Sequence, residues 1–239
     1  SLLASNRLFK FADNIGVEEA WNYGVNYTHN FKIAKREASL SFDAYRTDFV
    51  KQVLVDVEQA PLVTGSDTTF FVAFYNSPGQ SFSTSMLINF QYNLLPGLDI
   101  KLAYKWNDVR AEFADGKLKR QPLVARQRGL VMLDYTTPKK HWVFNTYVQI
   151  IGEQRLPDNS YVPHEYTHDF PATTPVFGLW NAQITRRLGK QWEVYVGCEN
   201  ITGYQQHHAI IAAEEPESPF FNGSQVWAPM MRQVGYLGV

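Results

Sequence analysis

Four histidines lie in two segments of the chain that have no regular residue pattern. His164 and His168 fall between residues 152 and 176, and His207 and His208 open a segment that runs from 202 to 225. Imidazole nitrogens bind iron, copper or haem, and aromatic rings stack on planar ligands. We therefore expect ligand-binding residues among the following side chains: Tyr161, His164, Tyr166, His168, His207 and His208. Because loop residues have no fixed spacing, the pattern identifies no metal, and solvated surface histidines are the alternative.

The motifs of common enzyme mechanisms are missing from the sequence. It contains no G-x-S-x-G, P-loop, H-E-x-x-H or Cys-x-x-Cys pattern. Asp43, Asp99, Glu193 and Glu199 alternate with apolar residues, but no spacing pairs them as acid and base. We therefore expect neither enzymatic activity nor a bound cofactor. The one cysteine, Cys198, has no partner for a disulfide within the chain.

The composition excludes several classes of protein. The 239 residues carry a net charge of −1, whereas a nucleic-acid-binding protein needs a basic surface. Charged residues make up 19% of the chain and aromatic residues 15%. The mean hydropathy is −0.29, and no apolar run approaches the ~18 residues of a membrane-spanning helix. We therefore expect no nucleic-acid partner and no transmembrane helix.

Alternation of apolar and polar residues is the strongest pattern in the chain. Between residues 20 and 33, Trp21, Tyr23 and Val25 alternate with amides, a glycine and a hydroxyl, and the pattern recurs through the sequence. Such alternation predicts about nine antiparallel β-strands with one apolar and one polar face. The polar set comprises Asn22, Asn26, Asp43, Asn89, Gln91, Asp99, Lys101, Asn145, Gln149, Asn181, Gln183, Glu193 and Glu199. Two structures fit this pattern: a soluble sheet with one solvent-exposed face, and a membrane barrel with a polar lumen. The facing of residues 128–135 stays ambiguous.

The lengths of the connections favour the membrane barrel. Short turns are predicted near 34–37, 95–97, 136–140 and 188–190, and long connections at 57–80, 111–126, 152–176 and 202–225. Short and long connections alternate along the chain, as periplasmic turns and extracellular loops do in outer-membrane barrels. In that interpretation the polar set faces the lumen and the apolar set faces lipid.

Large aromatic residues near the strand ends agree with a membrane barrel. Two interfacial belts are expected on the lipid-facing side, formed by Trp21, Tyr23, Trp106, Trp142, Trp180 and Trp192. The first strand would run inward from the long-loop side, so an open barrel edge would face lipid unless further strands precede it. We therefore expect residues 1–239 to be the C-terminal portion of a larger barrel, without a second domain.

Six segments resemble the later barrel of TonB-dependent outer-membrane receptors, especially those of the Bacteroidetes type. They are residues 2–9 (LLASNRLF), 18–26 (EEAWNYGVN), 41–49 (SFDAYRTDF), 180–185 (WNAQIT), 196–202 (VGCENIT) and 226–230 (VWAPM). The resemblance implies an all-β antiparallel transmembrane barrel of ~22 strands, of which this chain holds about nine, with the plug absent from it. It also implies a place in the bacterial outer membrane, with long loops extracellular and short turns periplasmic.

The same resemblance implies TonB-dependent uptake of a scarce ligand, in the first place an iron chelate such as a siderophore or haem. Its implied partners are the TonB–ExbB–ExbD complex, acting through the plug, outer-membrane lipid, an unidentified small molecule and a surface lipoprotein. Cobalamin, copper, peptide or glycan uptake are the alternatives within the family. A soluble β-sandwich binding module, a passive porin and an outer-membrane enzyme are the alternatives outside it.

Overall fold

The computed structural model describes residues 5–189 and 191–239. Its elements are, in chain order, β1 (Leu8–Phe11), β2 (Glu19–Ile33), β3 (Arg36–Lys51), β4 (Val53–Asp56), β5 (Leu62–Thr64), β6 (Asp67–Thr69), β7 (Phe71–Asn76), β8 (Ser81–Leu95), β9 (Leu98–Glu112), β10 (Leu118–Arg120), β11 (Gln127–Thr136), β12 (Trp142–Ile151), α1 (His164–Thr167), β13 (Phe177–Leu188), β14 (Trp192–Glu199) and β15 (Val234–Gly238). Residues 2–4 of the first family-like segment, and Lys190 of the predicted turn at 188–190, lie outside the described residues.

Nine strands form one antiparallel sheet, which confirms the strand count and the fold class predicted from the sequence. Their order is β2-β3-β8-β9-β11-β12-β13-β14-β15, and the short β10 adds to β9. Each strand pairs with the next long strand in the chain, as in an up-and-down barrel wall. The sequence places the last strand near 227–239, but the strand begins only at Val234, because Trp227 packs against Phe177 and Tyr204 in a loop cluster.

Tight turns join alternate pairs of strands, as the sequence predicts. The turn between β2 and β3 is Ala34–Lys35, and both residues have positive φ, of 49° and 66°. This is the backbone of a two-residue hairpin whose twist matches that of its strands. Gly97, at φ 82°, makes the turn between β8 and β9.

The register separates the sheet into two faces. Val25, Ala44, Met86 and Trp106 lie in one row across four strands, and Asn26 and Asp43 lie opposite each other on the other face. We call these sides the apolar face and the polar face. On the apolar face Met86 is 44% exposed and Ile88 45% exposed, although both lie in central strands. An apolar sheet surface without protein cover is typical of a lipid-facing barrel wall.

The ambiguous segment 128–135 is resolved by its pairing with β9. Val131 lies opposite Leu102 and Leu133 opposite Ile100, so the odd-numbered residues of β11 join the apolar face. Asp134 lies opposite Asp99 on the polar face. The polar face is therefore continuous from β2 to β14.

The long connections contain regular structure that the sequence pattern does not predict. A three-stranded sheet of order β1-β7-β4 forms beside the main sheet, with β1 parallel to β7 and β4 antiparallel to it. The connections also contain the β5–β6 hairpin, β10 and the one-turn helix α1. Residues 71–76 read FVAFYN, a run without alternation, so a period-two pattern could not reveal β7.

The buried residues lie mainly in the connections rather than in the long strands. Three small clusters of buried apolar side chains occur in the described part of the chain, and each includes residues from a long connection. Among the residues described, no helix has both the length and the apolar character needed to cross a membrane.

Candidate ligand-binding site

The four long connections fold together at one end of the sheet, on its polar side. We call residues 52–80, 113–126, 152–176 and 200–233 the loop cap. Leu54 and Phe113 of the loop cap pack on Ala111, which lies opposite Ser81 on the polar face. Ala125 and Ala228 cluster with Ile151 and Phe177, a cross-strand pair on the same face. The loop cap therefore packs against the polar face at this end of the sheet.

Apolar contacts join the connections to one another. Phe70, Val162 and Ile211 come from three different connections and form one buried cluster, which Tyr166, Phe170 and Phe220 extend. The rings of Phe70 and Phe220 meet edge to face with centroids 5.7 Å apart. Burial of these apolar side chains in one cluster lets the connections stabilise each other.

Polar contacts complete the loop cap. The Tyr166 hydroxyl donates a hydrogen bond of 2.9 Å to Glu215, and this bond raises the pKa of Tyr166 above its ordinary value. Asn200 fixes both ends of the last connection, because its side-chain amide donates to the carbonyl groups of Tyr204 (2.7 Å) and Arg232 (2.8 Å). These bonds link segments that are far apart in sequence.

A buried carboxylate organises one side of the loop cap. The side chain of Glu58 is 3% exposed, and its Oε1 accepts hydrogen bonds from Arg155 (2.6 Å) and from the backbone N–H of Asp158 (2.8 Å). Within the described residues, Glu58 Oε2 accepts no hydrogen bond, and Lys119 Nζ lies 4.0 Å from it. Lys119 instead donates to Asp115 at 2.8 Å, which holds the pKa of that carboxyl below its usual value.

A cavity of about 570 Å³ opens beside Glu58; we call it the acidic cavity. Its charged and ring-bearing wall residues are Asp56, Glu58, Phe113, Asp115, Lys117, Lys119, Asp158 and Tyr161. Four carboxylates against two ammonium groups give it a negative balance. Of the residues predicted to bind a ligand, Tyr161 lies here.

A second cavity, of about 510 Å³, lies between the last two connections; we call it the histidine cavity. Its wall includes Asp169, Phe170, Tyr204, His207, His208 and Trp227. Asp169 Oδ2 lies 3.0 Å from His168 Nε2 and 3.3 Å from His208 Nδ1, so one carboxylate joins two of the predicted histidines. Burial raises the pKa of the Tyr204 hydroxyl. A volume of this size is typical of small-molecule sites.

The structure brings only some of the predicted ligand-binding residues together. His168, His207 and His208 meet at or beside the histidine cavity, whereas Tyr166 packs into the apolar cluster and His164 is exposed in α1. In the described residues, no group of three or more His, Cys, Asp or Glu side chains is placed to hold a metal ion. The wall of the histidine cavity carries hydrogen-bonding groups and aromatic rings.

The register puts the predicted polar set on the polar face. Asn26 donates to Asp43, Asn145 donates to Asp134, and Asn89 donates to Ser41 at 3.2 Å. Gln91, Asp99 and Lys101 line a further cavity of about 400 Å³ at the short-turn end. The rest of the set occupies the same face in register: Asn22, Gln149, Asn181, Gln183, Glu193 and Glu199. Their exposure to a lumen stays a prediction.

The six predicted belt residues occupy the apolar face. Trp21 and Tyr23 lie near the loop-cap end of β2, and Trp106 and Trp180 near that end of β9 and β13. Trp142 and Trp192 begin their strands at the short-turn end. The indole N–H of Trp180 donates to Thr146 at 2.7 Å. Rings at both ends of one face have the placement that interfacial belts require.

Sequence reasoning missed the residues that build the loop cap. Glu58 and Arg155 are 97 positions apart, and Phe70, Val162 and Ile211 come from different connections. None of them belongs to a local motif or a periodic segment. No signal in a single sequence could have paired them.

No protein-family model and no curated protein matches the sequence. Solved structures do match its fold. The unliganded ferric citrate transporter FecA covers 92% of this chain at a TM-score of 0.61 and 16% identity, and the match covers 30% of that protein. A ferric enterobactin receptor mutant from Pseudomonas aeruginosa, in complex with enterobactin, covers 98% of this chain at a TM-score of 0.60 and 12% identity, over 34% of its own length. The ferric-catecholate import receptor Fiu from E. coli K12 covers 93% at a TM-score of 0.55 and 14% identity, over 27% of its own length.

The fold is therefore that of part of an antiparallel β-barrel, similar to part of the barrels of these solved proteins. The chain spans about a third or less of the solved proteins that it matches. At such low identity the likeness establishes the fold, and it leaves the Bacteroidetes type a prediction.

Proposed function

We propose that this chain forms the C-terminal part of the barrel of a TonB-dependent outer-membrane receptor, which takes up an iron chelate. The observation that carries the proposal is the match of the sheet and its connections to ferric citrate, ferric enterobactin and ferric-catecholate receptors. The exposed apolar face and the two rows of rings support a place in the outer membrane.

In this proposal the loop cap captures the ligand on the extracellular side. The histidine cavity offers Tyr204 and Trp227 as stacking surfaces and His207 and His208 as polar contacts. The acidic cavity is less suited to an anionic chelate, because carboxylates outnumber ammonium groups on its wall. The histidine cavity is therefore the better candidate for an iron chelate.

The polar face would line the path through the barrel and contact the plug. Amides and carboxylates such as Asn89, Gln91 and Asp99 can exchange hydrogen bonds with water and with a moving plug. The TonB–ExbB–ExbD complex would supply the energy through the plug. The chain itself then serves as wall and ligand collector, without covalent chemistry.

An uptake experiment tests this function. We would delete the gene of the whole protein, restore it on a plasmid, and supply ⁵⁵Fe as ferric citrate, ferric enterobactin or haemin. At least one probe should accumulate only in cells that carry the gene and functional TonB. A proton uncoupler should abolish that accumulation. Equal accumulation of all three probes with and without the gene would overturn the iron proposal, and gene-dependent cobalamin or copper uptake would replace it.

A further inference from the structure

Charged residues cluster on the apolar face, beside the aromatic rings at its loop-cap end. Two neighbouring rows of the register read Tyr23, Arg46, Thr84, Asp108 and Trp21, Asp48, Phe82, Arg110. The next row toward the short turns contains Met86 and Trp106. The cluster therefore lies where the apolar band ends, at the level of the predicted aromatic belt.

In one half of this cluster, the positive and negative charges neutralise each other. Arg46 Nη2 and Nε contact Asp48 Oδ1 at 2.7 and 3.0 Å, and the Tyr23 hydroxyl donates to Asp48 Oδ2 at 2.6 Å. The Arg46 guanidinium also stacks over the Phe82 ring at 4.4 Å. The charge of Arg46 is therefore neutralised by Asp48.

The other half has an excess of positive charge. Arg110 and Arg120 lie directly opposite each other on β9 and β10. Both turn to one carboxylate oxygen, because Asp108 Oδ1 lies 3.0 Å from Arg110 Nε and 3.7 Å from Arg120 Nε. Within residues 5–189 and 191–239, Asp108 is the sole anionic partner of either guanidinium. The side chains of Arg110 and Arg120 are 35% and 39% exposed, so they can reach a further anion.

Like charges directly opposite each other destabilise a sheet unless an anion lies between them. A guanidinium presents a planar fork of N–H groups that matches a phosphate group. At the rim of an apolar face, the anions within reach of such a pair are the phosphate groups of lipid heads.

We propose that Arg110 and Arg120 bind the phosphate group of an outer-leaflet lipid. The inference rests on the proposed membrane orientation, with the loop cap outside. Asp108 contacts both guanidinium groups and so competes with the phosphate for them, and Trp106 covers the acyl chains below them. The bound phosphate neutralises the repulsion between the two arginines, so the lipid stabilises the junction of β9 and β10.

The chain supplies a matched control at its opposite rim. Arg186 also lies on the apolar face, beside Trp142 at the short-turn end, with its guanidinium 4.6 Å from the ring centroid. In the proposed orientation Arg186 faces the inner leaflet. An R186Q variant therefore removes one lipid-facing arginine without touching the proposed site.

Native mass spectrometry of the whole detergent-purified protein tests the proposal, with bis-phosphorylated lipid A as the probe and dephosphorylated lipid A as its control. R110Q/R120Q should lower lipid A retention by about tenfold or more, the loss expected for charge-assisted hydrogen bonds. R186Q should leave retention unchanged, and D108N, which frees both arginines, should raise it. Heat-dependent gel migration checks that each variant is folded.

Four results would overturn the proposal. Equal retention of the two lipids would show that phosphate is not recognised, and unchanged retention by folded R110Q/R120Q would show that the arginines do not bind it. Displacement by millimolar inorganic phosphate would indicate a free-anion site instead of a lipid site. Loss of retention in R186Q alone would indicate the opposite orientation of the barrel in the membrane, and would so contradict the proposed function. Lipid retention is measured without any iron chelate, so a failed uptake test leaves this result intact.

Discussion

Asn159 and Gln225 exchange two side-chain hydrogen bonds, although 66 positions separate them. Asn159 Nδ2 donates to Gln225 Oε1 at 3.2 Å, and Gln225 Nε2 donates to Asn159 Oδ1 at 2.7 Å. Gln225 is fully buried, and its carbonyl group also accepts a hydrogen bond from Gln206. This amide pair ties the third and fourth connections of the loop cap together.

Replacing Gln225 by alanine should loosen both connections. The change removes two hydrogen bonds and leaves the Asn159 amide without its partner, at a cost of about 1–3 kcal/mol. Hydrogen exchange should become faster in residues 152–176 and 200–233 and stay unchanged in β8 and β9. Glu217→Gln, an exposed change in the same connection, is the control. Unchanged exchange in Gln225→Ala would mean that the amide pair does not hold the loop cap.

The ion pair of Glu58 and Arg155 should matter far more than an exposed pair. Removing one partner of a buried pair leaves an uncompensated charge, so Glu58→Ala should lower the free energy of unfolding by about 3 kcal/mol. Lys32 and Glu37 form the control pair, with side chains 65% and 76% exposed, and Glu37→Ala should cost at most about 1 kcal/mol. Guanidinium unfolding of the whole protein in micelles, followed by tryptophan fluorescence, gives both values. Similar losses would contradict the buried role of Glu58.

Most of the sheet was predictable from the sequence because most of its strands carry their own alternating pattern; the facing of β11 and the start of the last strand were not. In β9, Leu98, Ile100 and Leu102 alternate with Asp99 and Lys101, and the structure shows the same two faces. The loop cap was not predictable, because its contacts join residues from different connections. The strands within the loop cap could not be predicted either. β7, for example, is apolar at successive positions and so shows no alternation, and its pairing with β1 is parallel.

The candidate site was predictable only as a set of residue types. The aromatic and histidine content of two connections pointed to the loop cap, but the meeting of His168 and His208 at Asp169 depends on how the loops fold. Asp169 itself had no distinguishing sequence feature. A segment rich in aromatic residues therefore indicates where a binding site lies, but the residues that contact each other there depend on tertiary packing.

Under the proposed function, His208→Ala should weaken ligand binding, whereas His164→Ala should not. His208 lies on the wall of the histidine cavity, and His164 is exposed in α1. Loss of one polar contact should raise the Kd by about tenfold. Fluorescence titration of the whole protein with whichever of ferric citrate, ferric enterobactin or haemin is taken up measures this. If His164→Ala raises the Kd as much as His208→Ala does, the ligand does not use this cavity.

Two turn variants should change stability in opposite directions. Lys35 has a φ of 66° without being glycine, so Lys35→Gly should relieve strain and stabilise the hairpin by up to ~1 kcal/mol. Gly65 has a φ of 63° with open space around it, so Gly65→Ala should destabilise its turn by about 1 kcal/mol through strain alone. Equilibrium unfolding in urea checks both signs. A destabilised Lys35→Gly would mean that a contact of the lysine outweighs its backbone strain.

The facing of neighbouring residues in the central strands tests the membrane barrel most directly. We would place a spin label at Ile88 or Asn89, and at Leu102 or Ala103, by Ile88→Cys, Asn89→Cys, Leu102→Cys and Ala103→Cys in Cys198→Ser protein reconstituted in bilayers. Labels at 88 and 102 should collide with oxygen, which concentrates in hydrocarbon, because both residues lie on the apolar face. Labels at 89 and 103 should collide with a water-soluble nickel complex. Equal access at neighbouring positions, or the reverse order, would contradict a lipid-facing wall around a polar lumen.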